Sequence, residues 1–167
     1  CITKQQIPTK AGLRFNTDII EFCGKEMPNW VPVSIAGYNG ADSGLTPDQE
    51  LGSLFANAVE YLDEIQRRKS ISLEVAAKGC AGVSFRSSIR IFEEAAKMRA
   101  ARLMWSQLLK KRYKITEPKI ANLRIHCVTA GSKMTYQQPL NNIVRGTLMG
   151  LAAVLGGVQS LGVSGYD

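Results

Sequence analysis

Tyr38, Asn39, Arg86, His126 and Gln159 are the side chains of this chain best suited to chemistry, because each lies at the end of a short apolar run. Parallel α/β folds gather their sites at the carboxyl ends of strands, so the polar residues there are the ones to weigh. The first run ends in Gly37-Tyr38-Asn39-Gly40, the second in Phe85-Arg86-Ser87-Ser88, the third in His126-Cys127-Val128-Thr129 and the last in Gln159-Ser160. Brought to one rim, Tyr, Asn, Arg, His and Gln would offer hydrogen-bond donors to a carbonyl and contacts to a phosphate. Each has a plainer reading. Tyr38 can cap the core with its hydroxyl in water, Asn39-Gly40 is a common turn dipeptide, Arg86 can be a solvated charge, and a lone strand histidine such as His126 is often structural. Nucleophilic catalysis is unsupported: there is no nucleophile elbow, and Cys127, next to His126 on a strand, points to the opposite face.

The elements that would position these residues alternate short strand, loop and amphipathic helix, which argues an α/β architecture with parallel strands. Strands are expected at Val31 to Ala36, Val83 to Phe85, Leu123 to Val128 and Val158 to Leu161. A helix starts near Pro47, with Thr46 as N-cap, Pro47 at the first helical position and Gln49 closing a capping box. Its stripe of Leu51, Leu54, Phe55, Ala58, Leu62 and Ile65 has the spacing of one buried face. A shorter helix over Ser72 to Lys78 ends with Gly79 as its cap. The longest helix, Ser88 to Arg112, buries Ile91, Ala95, Met98, Ala101, Trp105, Leu108 and Leu109, and Glu93 and Lys97 read as an exposed i, i+4 pair. A last helix carries Ile143, Val144, Thr147, Leu148, Leu151, Ala152 and Leu155 and is stopped by Gly156-Gly157.

A chain of 167 residues with 45% apolar residues can form one ordinary core. Its net charge of +7 could attract a polyanion, but the basic residues are spread out. The densest runs, Arg67-Arg68-Lys69 and Lys110-Lys111-Arg112, fall at expected helix C-termini, where cations complement the dipole. No nucleic-acid recognition motif is present, and a coenzyme A phosphate remains a polyanion of suitable size. Cys1, Cys23, Cys80 and Cys127 form no C-x-x-C pair and have no histidine at metal-ligand spacing, so neither a zinc site nor a disulfide framework is indicated, and a reducing cytoplasm fits. No apolar run reaches the length of a membrane span. The start at Cys1 and the stop just after the last strand read as those of a fragment, one expected to be aggregation-prone and inactive alone.

From Leu123 to Leu161 the chain carries His126-Cys127, then Gln137-x-Pro139-x-Asn141-Asn142-x-x-Arg145, then Gly156-Gly157-Val158-Gln159-Ser160-Leu161. This order and spacing resemble the substrate barrel of the adenosylcobalamin-dependent acyl-CoA mutases, the methylmalonyl-CoA mutase family. The similarity extends from about Asp18 to Asp167 and includes Lys97-Met98-Arg99-Ala100. It implies part of a TIM-type (β/α)8 barrel, with residues 1–167 a fragment of one barrel domain and the cobalamin-binding domain outside the chain. It also implies an isomerase, an intramolecular transferase that uses adenosylcobalamin for a radical rearrangement of an acyl-CoA carbon skeleton. The partners implied are the acyl-CoA, a cobalamin domain or subunit, and a second barrel subunit in a homo- or heterodimer. No nucleic acid or membrane is implied. The location implied is the cytoplasm, or the mitochondrial matrix in a eukaryote.

Residue by residue, the resemblance puts Tyr38 and Asn39 at the reacting thioester, with Asn39 where the family has a histidine that hydrogen-bonds the carbonyl. Asp42 stands for a glutamate that contacts cobalamin. Val128 and Ser132 replace a glutamine and a tryptophan that usually face the corrin. His126 and Gln159 match positions that bind the coenzyme A arm. Cys80 and Gly82 fall where the family has Arg-x-Ser, and Arg86 is the expected substitute from a nearby turn. A family His-Thr-Asn reads Gly162-Val163-Ser164 here, and the arginine that pairs with a substrate carboxylate would fall near Ile2 to Lys4. Joint loss of the His, Gln and Trp is also what a non-catalytic barrel subunit, paired with an active one, would carry.

Overall fold

A computed structural model describes residues 7–167; Cys1 and the stretch near Ile2 to Lys4 lie outside the described residues. The elements run α1 (Thr9–Glu26), β1 (Ile35–Ala36), α2 (Tyr38–Asp42), α3 (Pro47–Arg68), α4 (Leu73–Gly79), β2 (Gly82–Ser87), α5 (Ile91–Tyr113), β3 (Arg124–Thr129), a 3₁₀ turn (Gly131–Lys133), α6 (Asn141–Leu155) and β4 (Ser160–Gly162). The four strands form one parallel sheet in the order β1-β2-β3-β4, so each strand pairs with the next in sequence.

The two sheet faces differ in chemistry. Register rows Ile35–Val83–Ile125 and Phe85–Cys127–Leu161 turn toward the helices. There they join the α3 stripe and Met98, Ala101, Trp105 and Leu109 of α5 in one core, with Phe55 stacked on Trp105 at 6.2 Å between ring centroids. The other face carries the row Ala36–Ser84–His126–Ser160 and the row Arg86–Val128–Gly162. On β3 the alternation is plain, with Ile125, Cys127 and Thr129 buried and Arg124 and His126 exposed. Cys127 therefore does point away from His126, and burial pushes its thiol up to about 12.

Local signals set the helix starts. The Gln49 side chain accepts from the Thr46 backbone N–H at 3.1 Å, and Ser72 accepts from Val75 N–H at 3.3 Å. Gly157, at φ 72°, adopts the left-handed conformation that ends α6, and Arg102 donates to the carbonyls of Gly156 and Gly157 just there.

Several expectations need correction. The first strand is only Ile35–Ala36, because Pro32 lacks the N–H needed for pairing and the chain joins the sheet after it. Tyr38-Asn39-Gly40 is the first turn of a short helix, not a loop. The last strand begins at Ser160, so Gln159 and Ser160 lie at its start, not past its end; His126 likewise sits mid-strand. The helix expected from Ser88 begins at Ile91 and runs to Tyr113, and Gly79 is the last residue of α4, with Cys80 as the cap. Within α5, Ile91 and Leu108 are only partly buried. On α6, Ile143, Val144, Leu151 and Leu155 are exposed. Burial there falls on the small residues Gly146, Gly150, Ala152 and Ala153 together with Asn142 and Met149. Lys97 is not an exposed partner of Glu93. It is buried and pairs with Glu50 and Glu94, while Glu93 pairs with Arg90 at 3.1 Å. Helix α1 was not expected at all.

Candidate active site

Arg86 leaves the end of β2 on the open face, where its Nη1 donates to Asp42 Oδ1 at 2.8 Å and to Ser132 Oγ at 3.1 Å. Ser132 Oγ donates in turn to Asp42 Oδ1 at 3.2 Å. Three residues singled out separately in the sequence, from α2, β2 and the turn after β3, thus close one triangle at the carboxyl rim. The Arg86 side chain is 14% exposed and that of Asp42 48%, so the pair sits where a ligand could cover it. Tyr38 and Asn39 occupy the first turn of the helix that ends at Asp42, with Tyr38 half-buried and Asn39 exposed.

Below the rim the open face is lined by small hydroxyl groups. Ser34, just before β1, and Ser84 of β2 share a hydrogen bond of 2.6 Å, and His126 Nδ1 and Ser160 Oγ lie 2.9 Å apart across β3 and β4. Val128 stands beside Arg86 in the next row. The Gln159 side chain accepts from the Ile125 backbone N–H of β3 at 2.9 Å and donates to the Gly157 carbonyl at 3.0 Å, so its amide ties β3 to the turn that leads from α6 into β4. The predicted residues fall at different levels: Tyr38, Asn39, Asp42, Arg86 and Ser132 at the rim, His126 in the middle of β3 and Gln159 just before the start of β4.

Sequence reasoning missed what stands behind the rim. Lys97 Nζ donates to Glu50 Oε2 at 2.7 Å and to the Arg86 carbonyl at 2.9 Å, and Glu94 Oε2 lies 2.6 Å away, close enough for ion pairing but off the direct donor line. Burial pushes the Glu50 carboxyl above the usual range against the pull of Lys97. The available signal was positional, since residues 94 and 97 lie one turn before Met98 and Ala101 on the buried face of α5. Asn142 was quoted only as part of a motif. Its Oδ1 accepts from Thr135 N–H at 3.0 Å and its Nδ2 donates to the carbonyls of Thr135 and Tyr166, both at 2.9 Å, so it holds two rim segments together. Among the described residues no group of three or more His, Cys, Asp or Glu could hold a metal ion.

The family model for methylmalonyl-CoA mutase matches residues 3–167. The chain belongs to the methylmalonyl-CoA mutase family. Similar relatives include the methylmalonyl-CoA mutase of Rhizobium meliloti (strain 1021), 38% identical over 160 residues. The 2-hydroxyisobutanoyl-CoA mutase large subunit of Aquincola tertiaricarbonis is 36% identical over 160 residues, and the mitochondrial methylmalonyl-CoA mutase of Homo sapiens is 34% identical over 170. Each alignment covers 96% of this chain but only 22%, 28% and 21% of the respective relative. The Asn141-Asn142-x-x-Arg145 stretch is architectural here: Arg145 donates to Thr135 Oγ1 and Asn142 Oδ1, both at 3.1 Å.

Proposed function

We propose that this chain is part of the substrate barrel of an adenosylcobalamin-dependent acyl-CoA mutase, an isomerase that rearranges the carbon skeleton of a coenzyme A thioester. The observation that carries this reading is the sheet itself. Its strands follow one another without a reversal of order, its helices pack on one face, and its other face is polar and lined by small side chains. A parallel sheet normally buries both faces. A face of Ser34, Ser84, His126 and Ser160 suits the wall of a (β/α)8 barrel whose axis admits a narrow, polar chain such as the pantetheine arm, with the remaining strands supplied by a longer polypeptide.

The rim suits the reacting end. Tyr38 shields the thioester and Asn39 donates to its carbonyl oxygen, while His126 and Gln159, deeper along the strands, flank the coenzyme A arm. The donor set also fits a corrin, whose edge carries amides. Asp42 Oδ2 has no partner among the described residues, Ser132 is exposed, and Val128 is the apolar register partner of Arg86 on the same face. Asp42, Ser132 and Val128 would hold that edge, and Arg86 keeps the Asp42 carboxylate aimed. Adenosylcobalamin, when bound, supplies the weak cobalt–carbon bond from which radical chemistry starts; the protein's part is to orient the thioester and exclude water. No helix among the described residues is long and apolar enough to cross a membrane, and a cytoplasmic or matrix enzyme accords with that.

The test is electron paramagnetic resonance on the full-length protein with its cobalamin domain or subunit, under exclusion of oxygen, with methylmalonyl-, isobutyryl- and 2-hydroxyisobutyryl-CoA in turn. A coupled cobalt(II)–radical signal with one thioester is expected and names the substrate class. Silence with all three, without cobalamin binding, would favour a non-catalytic subunit.

A further inference from the structure

Asp42 and Arg86 meet at the rim from different elements, and the pieces of backbone that carry them rest on the same buried charges. Lys97 donates to the main-chain carbonyl of Arg86 itself. Gly37, which opens α2, lies against Glu50: a Cβ there would come within 3.0 Å of Glu50 Cγ and Oε1 and 3.1 Å of Phe85. Glu50 Oε1 is buried with no hydrogen-bond partner, and it is the oxygen on the Gly37 side. The Lys97 and Glu50 side chains are each 1% exposed.

Two carboxylates facing one ammonium leave a buried negative charge, which is costly unless something else offsets it. The fold supplies that offset. Glu50 is the fourth residue of α3 and Glu94 the fourth of α5, so the N-terminal dipoles of two long helices converge on the cluster. An apolar trio would fill the same space at lower desolvation cost, but it could not hold the Arg86 carbonyl in place.

We propose that Lys97 is a positioning residue for the rim, acting with Glu50 and Glu94 as a charged footing that fixes α2 and the end of β2 relative to each other and so sets the Asp42–Arg86 pair. The proposal rests on the mutase reading only for what the rim binds. Its test uses the full-length protein and two readouts, thermal unfolding and amide hydrogen exchange followed by peptide. Lys97→Met alone strands two carboxylates and is expected to lower Tm. The charge-free variant E50Q/E94Q/K97M is expected to recover most of that loss, yet peptides spanning 37–44 and 84–90 should exchange at least tenfold faster than in the parent, with α1 unchanged. Parent-like exchange at the rim in that variant would overturn the proposal. Should the triple variant fail to fold, Glu50→Gln serves: exchange is expected to rise at 37–44 while 84–90 stays protected by Lys97, and no change at 37–44 would overturn it. Exchange is read whether or not the protein turns over a thioester, so a failure of the mutase reading is seen separately in the resonance experiment.

Discussion

In the proposed reading, Asn39 is the residue on which the chemistry would turn. An amide can donate to a thioester carbonyl, but it cannot deliver a proton near neutral pH as a histidine can. Loss of one such contact typically costs roughly 3 kcal/mol of barrier, about a hundredfold in rate. On the proposed reading, Asn39→Ala in the full-length protein is expected to lower kcat by about that factor with KM changed far less, as steady-state kinetics would read. An equal rise in KM would mean that Asn39 only binds. Tyr38, Asn39 and Arg86 stand out from the ends of expected strands, whereas Asp42 and Ser132 came only from the family resemblance; that Asp42, Arg86 and Ser132 bond to one another is a tertiary fact no local signal carries. Lys97 was not legible. Its partner Glu50 lies 47 residues away, and a lysine three or four residues from a glutamate reads as a surface pair until the tertiary fold buries it.

At the scale of elements, α3 and α5 are joined outside the core by Asp63, which accepts from Arg112 Nη2 at 2.6 Å and from the Tyr113 hydroxyl at 2.7 Å. The Arg112 guanidinium, with Tyr113 beside it, holds the Asp63 carboxyl below the usual aspartate value. The folded value is depressed, so this link stabilises the fold above the unfolded value of 3.8 and is lost as pH falls through and below it. Asp63→Asn should cost about 0.5–1 kcal/mol at neutral pH, because the pair is partly exposed, and the difference from the parent should vanish in acid. Chemical denaturation at pH 7 and in a series of falling pH below 3.8 checks both. Helix α3 was legible from its capping box and stripe, α4 and α5 in outline, and α6 only as a helix, since most of its expected stripe is exposed. Helix α1 escaped because Pro8 precedes it without a side-chain cap and its buried face is only Thr17, Ile20 and Cys23, while Phe15 and Phe22 face outward. It is held by tertiary contacts instead, through Arg68 to Asp18 at 2.6 Å and Glu21 at 3.2 Å.

For the whole molecule, β1 and β4 each have one unpaired edge among the described residues. Helix α6 turns an apolar side outward, with Val144 60% and Val154 62% exposed. Such edges and faces associate when nothing covers them. The 167-residue chain produced alone is expected to form higher-order species in size-exclusion chromatography with light scattering. A monodisperse monomer that unfolds cooperatively would show instead that the open face tolerates water. The contact between Gly37 and Glu50 reaches further than stability. Any side chain at position 37 crowds Glu50 and Phe85, and Glu50 is matched to Lys97 and Glu94, so a lone substitution at any of these four positions disturbs a steric or a charge match. As lineages diverge, these positions should stay fixed or change together, while the exposed faces of the same helices drift one residue at a time.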